Sequence, residues 1–155
     1  MKKTLLLLFT AVLVLSLCAC GAAETAAIDV QNLYADMTAL EGMPEMLAVP
    51  ADKALTLLGL SPEDCAQSVT AICADSLRAD EIWLVEAVDD AAADRIAKLA
   101  QTRLDQKAQE LKDYLPEQYQ VVQNGTLIVK GRLVALLISP QAEKLESLFN
   151  GAAGA

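Results

Sequence analysis

Residues 80–119 read DEIWLVEAVDDAAADRIAKLAQTRLDQKAQELKDYLPEQY, and the rest of the chain is arranged around them. Glu81 to Ala87 is rich in β-branched and aromatic side chains and predicts a strand. Its centre, Ile82, Trp83, Leu84 and Val85, is apolar on both faces, the pattern of a strand covered on both sides. From Asp90 the period changes. Ile96, Leu99, Ala100, Leu104, Ala108, Leu111 and Leu115 recur at three and four, one apolar stripe along a helix. Asp94, Arg95, Lys98, Gln101, Asp105, Gln109, Lys112 and Asp113 make the polar face. Asp89 and Asp90 cap its start, where free N–H groups and the helix dipole favour negative charge, and Pro116 ends it for want of an N–H. From Asp90 to Tyr114 such a helix is about 35–40 Å long at about 1.5 Å per residue, enough to cross a small sheet.

Toward the N-terminus, Lys2 and Lys3 precede a leucine-rich, uncharged run from Thr4 to Ala19, the form of a secretion signal. It is shorter than the roughly 20 apolar residues of a membrane span. Leu17, Cys18, Ala19, Cys20 and Gly21 then resemble a bacterial lipobox. This reading makes residues 1–19 a signal peptide and Cys20 the mature N-terminus, carrying diacylglycerol on its sulfur. Cys18 is the poorer candidate, because bulky Leu17 stands directly before it; an ordinary signal peptide cut nearby is the alternative. Cleavage removes two lysines and no acid, leaving ten basic against 21 acidic residues, a net charge of −11. That balance argues against nucleic acid and against electrostatic binding to anionic lipid, so acyl chains would hold the protein at the bilayer.

Residues 20–27 form a lipidated tether of small residues, and residues 28–150 suit one domain with a single core. Asp29 caps a helix with Val30, Leu33, Tyr34, Met37 and Leu40 inward, stopped by Gly42 and Pro44. Met43 to Val49 follows as an extended connector. Pro50 to Leu58 makes a second short helix, closed by Gly59 in the left-handed conformation. Ser61, Pro62, Glu63 and Asp64 start a helical turn. Ser68 to Ala74 is a strand antiparallel to Glu81–Ala87. Thr126–Lys130 and Leu133–Ser139 form a hairpin across Gly131. Ser139 and Pro140 open a last helix with Ala142, Leu145, Leu148 and Phe149 inward, and residues 151–155 are expected to fray.

The order strand-strand-helix-strand-strand-helix predicts an α+β fold: a four-stranded antiparallel sheet with helices on one side, preceded by short N-terminal helices. Those N-terminal helices cover part of the other face, and the segment Leu33–Leu60 is expected to cover Trp83. Cys65 and Cys73, the cysteines left after processing, suit either a disulfide, which an exported protein permits, or two buried thiols.

Met43 to Met46, the run Gly59 to Asp64, Ala79 to Ile82 and above all Tyr114 to Tyr119 resemble a family of uncharacterised lipoproteins and secreted proteins of clostridia and related Gram-positive bacteria, catalogued as domain of unknown function 4358. The resemblance covers about Val30 to Phe149. It implies a compact extracytoplasmic domain on a lipid anchor and supplies no activity, cofactor or catalytic residue. Cys65 replaces an aliphatic residue usual in the family, which weighs against a family-wide disulfide.

The chain contains no histidine, which excludes Ser-His-Asp and Cys-His mechanisms. Its seven glycines are scattered, so no phosphate loop exists. Asp89 with Asp90 has the form of a carboxylate pair for a glycosidase or calcium site, but both lie where a helix cap belongs. Asn124-Gly125-Thr126 matches a glycosylation acceptor and reads first as a turn. Tyr114 and Tyr119 flank Pro116; packing of the helix end onto the sheet is preferred to a binding surface. No catalytic, cofactor or metal residue is assigned, and Cys20 is the one site, for lipidation. Two function classes follow: a membrane-anchored binding or accessory module with an envelope protein as partner, or a hydrolase of the cell envelope using carboxylates.

Overall fold

The computed structural model describes residues 28–154. The expected signal peptide, Cys20 and the expected tether therefore lie outside the described residues. In chain order the elements are α1 (Val30–Thr38), β1 (Met46–Ala48), α2 (Ala51–Leu58), a 3-10 turn (Pro62–Asp64), β2 (Cys65–Cys73), β3 (Glu81–Ala87), α3 (Asp90–Leu111), α4 (Pro116–Gln123), β4 (Thr126–Lys130), β5 (Leu133–Ile138) and α5 (Ala142–Ala153). The α+β class stands. The sheet has five antiparallel strands in the order β1-β2-β3-β5-β4, not four. The added strand is the stretch expected to be a connector. Three residues between Pro44 and Pro50 carry too little pattern to read as a strand; Met46, Leu47 and Ala48 become one by pairing with Cys73, Ile72 and Ala71.

Side-chain alternation divides β3 between two cores. Trp83, Val85 and Ala87 pack with Val134, Leu136 and Ile138 under Ile96, Ala100, Val122 and Leu58. Ile82 and Leu84 pack with Val69, Ala135 and Leu137 under Val30, Leu33, Met37, Leu145 and Phe149. Helices therefore cover both faces, α2, α3 and α4 on one and α1 and α5 on the other; an N-terminal helix on the second face is as expected, and α5 beside it is not. The N-terminal segment splits between the faces: α1 meets Ile82 and Leu84, and α2 flanks the Trp83 core, whose main cover is α3. The expected cover of Trp83 by Leu33–Leu60 is corrected accordingly. Two aliphatic faces of equal apolarity carry no sign of which helix each will meet.

The stripe of α3 has the expected phase but is unevenly buried. Ala92, Ala93, Ile96 and Ala100 are buried, and the three alanines let the helix lie close over the sheet. Leu104, Ala108 and Leu111 are half-buried. The helix stops at Leu111, and Pro116, read as its terminator, is the first residue of α4, where a missing N–H costs nothing. Gly59 caps α2 at φ 75° and Gly131 turns the hairpin at φ 55°, as expected. Helix α5 continues through Gly151 to Ala153, beyond the expected point of fraying.

Candidate functional site

Three places bring polar chemistry together. The first is a buried ion cluster at the start of β3. Glu81 and Trp83 are two residues apart and point to the same side, and both are fully buried. Trp83 Nε1 donates to Glu81 Oε1 at 2.8 Å. Arg103 lays its guanidinium on the same carboxylate, Nε to Oε1 at 3.0 Å and Nη2 to Oε2 at 3.0 Å. Lys107, one turn along α3, places Nζ 2.7 Å from Oε2 and donates to the Ala79 carbonyl at 2.6 Å. The Ala79 N–H donates to Gln118 of α4 at 2.9 Å. Beside them Arg78 grips buried Asp80 through Nε and Nη2 at 3.0 and 3.2 Å.

Burial by itself would raise the Glu81 pKa. The hydrogen bond from Arg103 and the charges of Lys107 and Arg103 outweigh it, and the carboxyl is held below its ordinary value. Burial opposes the charge on Arg103, but its hydrogen bond and attraction to Glu81 raise its pKa overall. An ionised carboxylate saturated by four donors has no free lone pair to offer a substrate. Its chemistry is that of a clamp, joining β3 to the half of α3 that apolar packing grips least. Reading the sequence missed this cluster, because the apolar stripe runs through Leu99, Leu104, Ala108 and Leu111 and passes over Arg103 and Lys107, which stand seven and eleven residues after Ile96 on the same face of the helix. The available signal was the i, i+4 pair of cations and the alternation of Glu81 with Trp83.

The second place is a cleft of about 380 Å³ between α1, α2 and β2, lined by Gln31, Ala51, Ala54, Ala66, Gln67 and Ser68 among others. Gln67 pins the entry of the chain here. Its Nε2 donates to the Ile28 carbonyl and to Glu86 Oε2, and its Oε1 accepts from Val30 N at 3.3 Å. Cys65 borders the cleft and donates its thiol to the Ser61 carbonyl at 3.3 Å. Burial and then the Asp64 charge raise its pKa above the ordinary thiol value, which makes it a poor nucleophile.

The third is a smaller cleft, about 250 Å³, between Gly59–Ser61 and α3. Asp64 there accepts a forked pair of bonds from Arg95, which holds its carboxyl below the ordinary range.

The remaining candidates resolve individually. Asp89 Oδ1 accepts from Ala92 N at 2.7 Å and is a helix cap. Cys65 and Cys73 are both free. They stand eight residues apart on one strand, about 26 Å at about 3.3 Å per residue, against the roughly 7 Å limit for a bridge. Tyr119 is half-buried as the packing reading requires, whereas Tyr114 is 74 % exposed and does not pack the helix end onto the sheet. Among the described residues no three of Cys, Asp and Glu converge as metal ligands, and no helix is long and apolar enough to cross a membrane.

Compared with known proteins, residues 41–139 match the family model described as domain of unknown function (DUF4358), from the connector before β1 to the end of β5. No curated protein and no solved structure matches.

Proposed function

The chain belongs to the DUF4358 family, and from that premise we propose that it is a membrane-anchored extracytoplasmic lipoprotein acting as a binding or accessory module. Leu17-Cys18-Ala19-Cys20-Gly21, behind a basic start and an apolar run, supports the anchor. The observation that carries the module reading is the state of Glu81. The most deeply buried carboxylate is ionised, saturated by Trp83, Arg103 and Lys107, and committed to holding α3 on the sheet. A general acid or base needs a proton it can exchange near the working pH and a path to substrate, and Glu81 has neither. The acids Asp64, Asp80 and Asp89 are likewise bound to structural partners. Function then rests on surfaces, and Cys20 and the tether set where those surfaces are presented.

Metabolic labelling with an alkyne fatty acid tests the anchor. Labelled wild type and unlabelled Cys20→Ala are expected, with the domain still folded in both; equal labelling of the mutant refutes the assignment. Crosslinking of the tethered protein in cells, followed by identification of the adducts, tests the module. Recurrent adducts with one envelope protein are expected.

A further inference from the structure

The cleft between α1 and α2 lies along a sheet edge that is only partly paired. Strand β2 has nine residues, and β1 pairs with the last three, Ala71–Cys73. Val49 N adds one bond to the Thr70 carbonyl at 2.8 Å. That bond shows which way Thr70 faces: its backbone groups point to the outer edge, while Cys73 N donates inward to the Asp80 carbonyl at 3.0 Å. Backbone groups alternate along a strand, so Ser68, two residues before Thr70, also directs its N–H and C=O outward. No described strand lies there. A register shift between Cys65 and Gln67 marks a bulge at Ala66, which interrupts the ladder on the β3 side before Cys65 pairs with Ala87, and Ala66 lines the cleft.

Helices flank this open edge. Gln31 of α1 stands on one side and Ala51 and Ala54 of α2 on the other, making a groove whose floor is Ala66–Ser68. Every side chain lining the groove is uncharged, in a chain whose net charge is −9. An open edge of this kind is satisfied by another extended backbone, with main-chain hydrogen bonds giving affinity and the flanking pockets selecting side chains. Three small alanines leave room for small side chains and offer no counter-ion for charged ones. Position narrows the partner further. Gln67 fixes Ile28 beside the groove, and Cys20 to Ile28 spans at most about 26–29 Å of extended chain. Resting on the anchored-module reading, we infer that the outer edge of β2 at Ala66–Ser68 receives an extended, uncharged, small-residue segment of a membrane-proximal envelope protein as an added strand.

The test uses the protein expressed from its whole sequence in cells fed the alkyne fatty acid, scored for label after purification, and three capped probe peptides. One alternates alanine and threonine, the second is the same peptide N-methylated at every amide so that neither edge can pair, and the third alternates alanine and glutamate. Hydrogen exchange at the Ser68 amide is followed for each. The first peptide is expected to slow exchange about tenfold when present at ten times its Kd, since a bound amide exchanges from the free fraction alone. The N-methylated and glutamate peptides are expected to leave it unchanged, and Ala51→Tyr, which fills the groove from an exposed helix start, to abolish the slowing. No slowing by the first peptide at millimolar concentration, or equal slowing by its N-methylated form, overturns the inference. A protein that takes the alkyne label but shows no slowing refutes the edge assignment and leaves the anchor standing. Slowing without label supports the edge and refutes the anchor.

Discussion

Glu81→Ala is the most revealing single change. It removes the acceptor of four donors from a site with no exposure, leaving the Lys107 ammonium, 12 % exposed, and the Arg103 guanidinium, 26 % exposed, facing a hole. Breaking one partner out of a buried ion pair costs about 3–5 kcal/mol, because the surviving charge has lost its compensation. Here two cations survive and an indole N–H loses its acceptor, which pushes toward the upper end; the partial exposure of Arg103 pulls the other way. About 4 kcal/mol is therefore expected from urea denaturation followed by Trp83 fluorescence, with an unchanged m-value. The triple change Glu81→Leu, Arg103→Leu, Lys107→Met is the control: removing the whole ion set for apolar residues of similar size is expected to fall within about 1 kcal/mol of wild type or to be more stable. The pH dependence has a definite sign. The folded pKa of Glu81 is below its usual 4.5, so the unfolded state binds the proton more readily. Its contribution is present above the unfolded pKa and is lost as pH falls through the folded one. Glu81→Gln should flatten the stability profile below about pH 4.5. A cost under about 1 kcal/mol for Glu81→Ala, with the profile unaltered, would refute the clamp.

Two further outcomes follow from burial and geometry. Denaturation should rank Ile96→Ala first at about 2–5 kcal/mol, half-buried Leu104→Ala next at about 1–2 kcal/mol, and exposed Asp105→Ala last at about 0.5 kcal/mol or less. Thiol counting by alkylation and mass measurement of the denatured monomer after mild oxidation should find Cys65 and Cys73 both free, as their separation along β2 demands.

Local pattern made much of this fold legible. The phase of α3, the caps at Asp29 and Asp89, the left-handed turns at Gly59 and Gly131, and the β4–β5 hairpin each depend on residues within a few positions of one another, so the sequence states them directly. What it could not state depends on partners far along the chain. Met46–Ala48 is a strand because Ala71–Cys73 offers it an edge. Trp83 faces α3 instead of α1 because two equally apolar faces are told apart only by the helices that arrive on them. The ion cluster is the clearest case. Glu81 stands on a strand and Arg103 and Lys107 on a helix more than twenty residues further on, and only the approach of α3 to β3 removes them from water and makes their pairing obligatory.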